Sequence, residues 1–333
     1  MSKLLSICIP TYERNDLFEL CIASLDRNIK DIEDETEIEI IVSINDSSSI
    51  KHDILHKYKS LEKILVIHQN SINIGGDQNI ISCYKKATGK YIWILGDDDY
   101  IHHKGVDYLL MKIKEKNPSC IFINSHGYKK SYNEKPYSLK SSFSLNFNEF
   151  ITKISYKSTF ISSIVLCNKL IDFNSASCFE RTSLYQLNLL LQTAKNGNNL
   201  YIGRYLVAAK INHNYNYNFH DVFISNYKHL LSLHLEKNIY EKVIIKTILL
   251  FYSQYLFHQR LNNKLIRNLI KFDTSLHDFR SYKIIRPIAS LPRWAAIIYG
   301  FIVIVLSRIR YGDIILLISK LLVRFNITSR EKL

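Results

Sequence analysis

Three adjacent carboxylates, Asp97, Asp98 and Asp99, follow Gly96 at the end of the apolar run Tyr91-Ile92-Trp93-Ile94-Leu95. Side by side, three acids repel one another unless positive charge is close. A divalent cation with oxygen ligands answers that repulsion, and Mg²⁺ or Mn²⁺ bridging to substrate phosphates fits the donor set best. An acidic turn that merely ends a strand is the competing explanation. Two further loops carry residues suited to the same chemistry. In Asn73-Ile74-Gly75-Gly76-Asp77 the glycines let backbone approach a ligand closely, and Asp77 is equally the residue type of a helix cap. In Asp46-Ser47-Ser48-Ser49 the acid can hold a ligand or cap the helix that follows.

These groups need a scaffold that delivers them to one place. Residues 4–9 read as a strand stopping at Pro10, with a loop through Arg14 and a helix capped by Asn15 or Asp16 and running past Leu25. Strands follow at 38–44, 64–68 and 90–95, separated by helices at 50–58 and 78–87, the latter stopped by Gly89. A helix at 104–116 and an apolar strand at 120–124 continue the alternation. That rhythm predicts a doubly wound parallel sheet, whose ligands sit beyond the carboxyl ends of the strands. The polar stretch 125–148 reads as an excursion over the sheet, a hairpin or a mobile lid. A strand at 160–166, a helix at 181–194 and a strand at 200–211 come next, then long helical segments at 221–236 and 240–260.

Taken in order, residues 6–14, the strand end at Asn45-Asp46, Asn73 to Asn79, and Gly96 to Asp99 resemble the family 2 glycosyltransferases with the GT-A fold. The likeness is nearest to the bacterial surface-polysaccharide branch that includes abequosyltransferase-like enzymes. It is close over residues 1–125 and weaker to about 215. The resemblance implies an α/β fold, a Rossmann-like central sheet with helices on both faces, plus a mainly helical C-terminal region. A GT-A domain would span residues 1–218, with a nucleotide-binding half at 1–125 and an acceptor half at 126–218; a helical region would occupy 219–333. It also implies metal-dependent, inverting transfer of a sugar from a UDP-, GDP- or dTDP-sugar to a growing surface polysaccharide or lipid-linked oligosaccharide.

Carried over residue by residue, Pro10, Thr11, Tyr12 and Glu13 would border the base and ribose, with Glu13 standing where the family usually has Asn. Asp46 would hold base or ribose, although Ile44 or Asn45 falls at the expected register. Gly76 and Asp77 would contact the nucleotide. Asp97 and Asp99 correspond to the metal-binding DxD pair, with Asp98 serving ribose, metal or only the turn. The general base would be Glu180, with Asp172 second, unless Glu180 is simply a first-turn acid favoured by the helix dipole. His213 falls where some relatives place an extra metal ligand, and Tyr215 and Tyr217 could stack on sugar faces.

Composition narrows the alternatives. The chain has 333 residues, of which 47% are hydrophobic and only five are proline, which excludes low complexity and leaves ample core. A net charge of +14 favours anionic partners without selecting among nucleic acid, lipid and phosphorylated substrates. A sugar-phosphate nucleotidyltransferase would carry a glycine-rich loop after the first strand, which Pro10 to Arg14 lacks. A non-enzymatic nucleic-acid- or membrane-binding protein would cluster its positive charge; here the functional centre is acidic, so no nucleic-acid partner is expected. The six cysteines are scattered and read as reduced. The chain enters a strand at once, with no charged leader and cleavage site, so the sequence reads as a protein of the cytoplasmic side. Apolar runs at 294–306 and 314–325 are studded with Arg293, Arg308, Lys320 and Arg324. Too short to span comfortably, they suit a tail (291–326) lying on an anionic leaflet, here the cytoplasmic face of a bacterial inner membrane, or helices packed on the domain.

Overall fold

The structure, a computed structural model, describes residues 3–46, 50–128, 131–133, 141–176, 179–211 and 221–247. The chain divides into two compact units, Met1–Asn212 and His213–Leu333. In order, the first contains β1 (Leu5–Thr11), α1 (Asn15–Ile29), β2 (Ile38–Ile44), α2 (Ile50–His56), β3 (Leu65–Gln69) and α3 (Gly76–Lys86). Then come β4 (Tyr91–Ile94), β5 (Tyr100–Ile101), α4 (Gly105–Lys116), β6 (Cys120–Tyr128), β7 (Ser142–Leu145) and α5 (Phe147–Ile154). The unit closes with β8 (Ile164–Cys167), α6 (Phe173–Ala176), α7 (Tyr185–Ala194) and β9 (Asn199–Lys210).

The nine strands of the described residues join one sheet, ordered β3-β2-β1-β4-β8-β6-β9-β5, with β7 also paired to β9. The nucleotide-side strands β3, β2, β1 and β4 are parallel, as the alternating pattern predicts. The sheet as a whole is mixed, which corrects the expectation of a wholly parallel one. Strand β8 runs antiparallel between β4 and β6, and β5 and β7 run antiparallel to β9. The chain reaches β8 through α5 and two short turns and enters it beside the carboxyl end of β4, so β8 runs back against β4 and β6.

Seven of seven residues in β2 are buried, as a strand covered on both faces requires. On one face Leu5, Ile7, Ile9, Ile40 and Val42 share a core with Phe18, Leu25, Ile54, Val106 and Leu109 from α1, α2 and α4. On the other, Cys8 Sγ approaches the Cys83 carbonyl of α3, and Tyr84 of α3 meets Tyr185 of α7. Each fully buried large apolar side chain contributes about 1.5–3 kcal/mol, enough to hold the strand ends in register.

Two local expectations change. β1 does not stop at Pro10 but pairs through Thr11 with Ile44. β4 is aligned only with Leu5 to Cys8, so the missing amide of Pro10 faces the side where pairing has already ended. Helix α1 has Arg14 at its N-cap without a side-chain cap, because Asn15 is already helical and its Oδ1 accepts from Lys51 Nζ at 3.2 Å. In the second unit a π-helical turn (Asp221–Asn226) runs into α8 (Tyr227–His234), and α9 spans Lys237–Thr247. The rest of the helical segment expected to 260, and the whole tail at 291–326, lie outside the described residues.

Candidate active site

Parallel pairing of β1, β2 and β4 brings the loops after each of them to one edge of the sheet. The acids after β4 meet the loop after β1 there. Thr11 Oγ1 donates to Asp97 Oδ2 at 2.7 Å, and the Tyr12 amide also donates to that carboxyl. Arg14 Nη1 donates to Asp98 Oδ2 at 2.8 Å, and Arg14 Nη2 lies against Asp97 Oδ1 in an ion pair that lacks a well-directed hydrogen bond. Asp99 is accepted into a different environment. Ser162 Oγ donates to Asp99 Oδ2, as does the backbone of Lys210 to the same carboxyl.

Burial separates the three acids. Asp97 and Asp99 are buried, whereas the Asp98 side chain is 20% accessible. Burial pushes Asp97 up to about 6, opposed by the Arg14 guanidinium and reinforced by Asp98. Burial, then Asp98, raises Asp99 well above the usual carboxylate range. Gly96 makes this crowding possible: a Cβ there would stand 2.8 Å from Asp99 Oδ2 and 3.2 Å from Asp98 Oδ1. Ser162 closes the arrangement from β8's entry turn, accepting the Gly96 amide on Oγ (2.8 Å) and Trp93 Nε1 on its carbonyl (2.9 Å).

The second strand end is built on asparagine and a buried lysine. Asn45 Oδ1 accepts from the Ile74 amide (3.0 Å) and Asn70 Nδ2 (3.2 Å), while its Nδ2 donates to Asn73 Oδ1 (2.8 Å). Ser43 Oγ donates to Asn79 Oδ1 at 2.6 Å, tying α3 to β2. The loop 70–75 is thereby cross-braced, and Gly75 at φ +85° gives the turn before α3 a conformation that a side chain would strain. Asp46 accepts from the Glu13 amide at 3.2 Å and from the fully buried Lys51 at 2.6 Å, linking the loops after β1 and β2. Glu13 itself sits at φ +58°.

The first turn of α3 meets the chain before α7. Asp77 Oδ2 accepts from the Ser183 amide at 2.9 Å, and Gln78 Nε2 donates to Glu180 Oε2 at 3.0 Å. Burial raises the Asp77 pKa, an effect opposed by the Ser183 amide. α7 begins at Tyr185, so Glu180 lies in the preceding turn and not in the helix's first turn. Asp172 is spent locally: its Oδ1 accepts from the Asn174 and Ser175 amides at 3.0 and 3.2 Å, and these bonds lower its pKa. Of the residues singled out in the sequence, Thr11, Asp97 and Asp98 come together, as do Glu13 with Asp46 and Asp77 with the Glu180 turn. Pro10 is part of β1, Tyr12 is exposed, Gly76 opens α3, and His213, Tyr215 and Tyr217 lie outside the described residues.

Sequence reasoning missed Arg14, Asn45's bracing role, Lys51 and Ser162. Arg14 was legible as the one cation in the loop after the first strand. Ser162 shows only as a hydroxyl pair interrupting an apolar run, and Lys51 carries no signal.

Hard carboxylate oxygens suit a Mg²⁺ or Mn²⁺ ion. The buried Asp97 Oδ1 and the partly exposed Asp98 Oδ2 both aim at one positive group, the Arg14 guanidinium. Among the described residues, no group of three or more His, Cys, Asp or Glu side chains is arranged to hold a metal by itself. A cation here would therefore take its remaining ligands from substrate or water.

The family model described as Glycosyl transferase family 2 matches residues 6–178, more than half of the chain. A 97-residue stretch is 33% identical to abequosyltransferase RfbV of Salmonella typhimurium, and 100 residues are 35% identical to a poly(ribitol-phosphate) beta-glucosyltransferase of Bacillus spizizenii. Each match spans 29% of this chain but only 28% and 15% of those relatives. In fold the chain is similar to S. aureus TarS 1-349, with a TM-score of 0.61 at 17% identity over 93% of this chain and 92% of that one. The TarS 1-349 complex with UDP-GlcNAc gives a TM-score of 0.62 at 17% identity over the same shares. The mixed sheet with helices on both faces is thus the GT-A arrangement of TarS.

Proposed function

The chain belongs to glycosyl transferase family 2, and from that membership we propose that it moves a sugar from a nucleotide-sugar to a growing surface polysaccharide or lipid-linked oligosaccharide, by inversion and with a divalent cation. The observation that carries the reading is convergence. The loops after β1, β2 and β4 and the start of α3 are cross-linked at one sheet edge through Thr11, Arg14, Asn45, Asp46, Asp97 and Asp98. Recognition of base and ribose falls to Thr11, Tyr12, Glu13 and Asp46, and Asp77 lies at the α3 N-terminus, where backbone amides favour anionic groups.

Asp97 and Asp98, rather than the Asp97–Asp99 pair expected from the sequence, would hold Mg²⁺ or Mn²⁺, because Asp99 is buried and held by Ser162; the cation would supply Lewis-acid neutralisation of charge growing on the departing nucleoside diphosphate. Asp99 supports this geometry from behind, through Ser162. Glu180 is the proposed acceptor of the proton from the attacking hydroxyl, oriented by Gln78. Asp172 is the weaker choice because two backbone amides already hold its carboxylate in the ionised form. Because TarS has been crystallised with UDP-GlcNAc and with UDP, UDP-sugars are the first donors to try, before GDP- and dTDP-sugars.

The reading is tested by thermal shift with nucleoside diphosphates in the presence and absence of Mn²⁺. One diphosphate with Mn²⁺ should raise the melting temperature, and Asp98→Ala should remove the rise. No rise with UDP, GDP or dTDP refutes the donor site. Attachment of the tail at 291–326 to an anionic membrane surface is part of the proposal and rests on its sequence alone; among the described residues no helix is long and apolar enough to cross a membrane.

A further inference from the structure

Arg14 binds both acids at once, one nitrogen to each, across 84 positions of sequence between Arg14 and Asp98. Its side chain is 48% accessible, while the Asp97 side chain is fully buried. A half-exposed cation thus faces one carboxylate that cannot reach water, Asp97, and one that partly can, Asp98. Guanidinium stays protonated at any physiological pH, so it leaves this site only by swinging away. Asp97 Oδ1 and Asp98 Oδ2 are also the oxygens that would hold a divalent cation, and two positive groups cannot share them.

We propose that Arg14 is a built-in competitor for the divalent cation: it occupies Asp97 and Asp98 in the donor-free protein, so that a free cation displaces it at a cost in affinity and a cation arriving with a nucleoside diphosphate displaces it readily. The diphosphate is what makes the exchange favourable. It brings negative charge that compensates the incoming cation and gives the displaced guanidinium a new planar, bidentate partner. The residue just before it favours such a swing. Glu13 takes a left-handed backbone conformation, φ +58°, and its amide is pinned to Asp46, which leaves Arg14 as the first side chain beyond a fixed turn. The idea rests on the donor-site reading, but its first test needs no donor.

The size of the effect follows from occupancy. If Arg14 covers the acids about 90% of the time, apparent affinity for the free cation falls about tenfold, equivalent to about 1.4 kcal/mol. Mn²⁺ binding to the full chain, read by electron paramagnetic resonance of the free ion, should therefore be about tenfold tighter in Arg14→Gln than in wild type. Arg14→Lys, which keeps a charge but loses the fork, should fall between them. Adding UDP, GDP or dTDP should tighten Mn²⁺ binding far more in wild type than in Arg14→Gln. Asp98→Asn should abolish Mn²⁺ binding in every background. Equal or weaker binding of Mn²⁺ alone by both Arg14 variants, at unchanged melting temperature, overturns the competitor role and leaves the donor site standing. Absence of Mn²⁺ binding by every protein, with or without nucleotide, overturns the competitor role together with the metal-dependent reading.

Discussion

Replacing Asp97 with Asn should make the metal-free protein more stable at neutral pH, and by an amount that depends on pH. The Asp97 carboxyl is fully buried, and its pKa is raised from 3.8 to about 6. Between those values the unfolded chain has released this proton and the folded chain has not, so stability falls as pH rises through the window. The difference corresponds to about 3 kcal/mol once pH exceeds the folded value. At pH 4.5 the same relation gives about 1 kcal/mol, so the wild type should lose about 2 kcal/mol relative to the variant between pH 4.5 and 7.5. An amide at this position keeps an acceptor for Thr11 and removes the charge. Urea unfolding in EDTA, followed by fluorescence of the buried Trp93, measures the gap at both pH values. A wild-type-to-variant gap that is the same at pH 4.5 and 7.5 would show that Asp97 does not bear the cost of a buried charge.

Other perturbations follow from the same contacts. Gly96→Ala puts a methyl 2.8 Å from Asp99 Oδ2 and 3.2 Å from Asp98 Oδ1, so Mn²⁺-nucleotide binding should drop at least tenfold while the fold survives, as calorimetric titration would show. Lys51→Met removes the buried partner of Asp46, at a cost of about 2–4 kcal/mol in unfolding free energy, and the loss should be largely reversed in the double variant Lys51→Met with Asp46→Asn. Glu180→Gln should lower the transfer rate about 10²–10⁴-fold and leave donor affinity unchanged, a split that steady-state kinetics resolves.

Much of the nucleotide side was legible because local pattern and tertiary role agree there. The apolar β4 followed by a glycine and acids, and β2 at residues 38–44, stand where periodicity put them. The acids were read as demanding a cation, and the folded chain provides one from within: Arg14, from a loop that only the parallel pairing of β1 and β4 brings near. Pairing across strands is a property of topology, and no window of residues contains it. The same limit explains Ser162 and Asn45, whose hydrogen bonds run to partners 63 and 25–29 positions away. The apolar run 160–166 marks a strand but carries no direction, so the antiparallel setting of β8 is not legible in it. The actual strand is shorter, Ile164–Cys167, since the residues before it form the turn that presents Ser162.

The central claim is donor chemistry at the edge where β1, β2 and β4 end. Release of nucleoside diphosphate from a panel of UDP-, GDP- and dTDP-sugars, with Mn²⁺ and with the full chain, tests it most directly. One base and one sugar should give release well above the buffer rate, and Asp98→Ala should return it to that rate. Release at the buffer rate across the whole panel, or release that persists undiminished in Asp98→Ala, would contradict it.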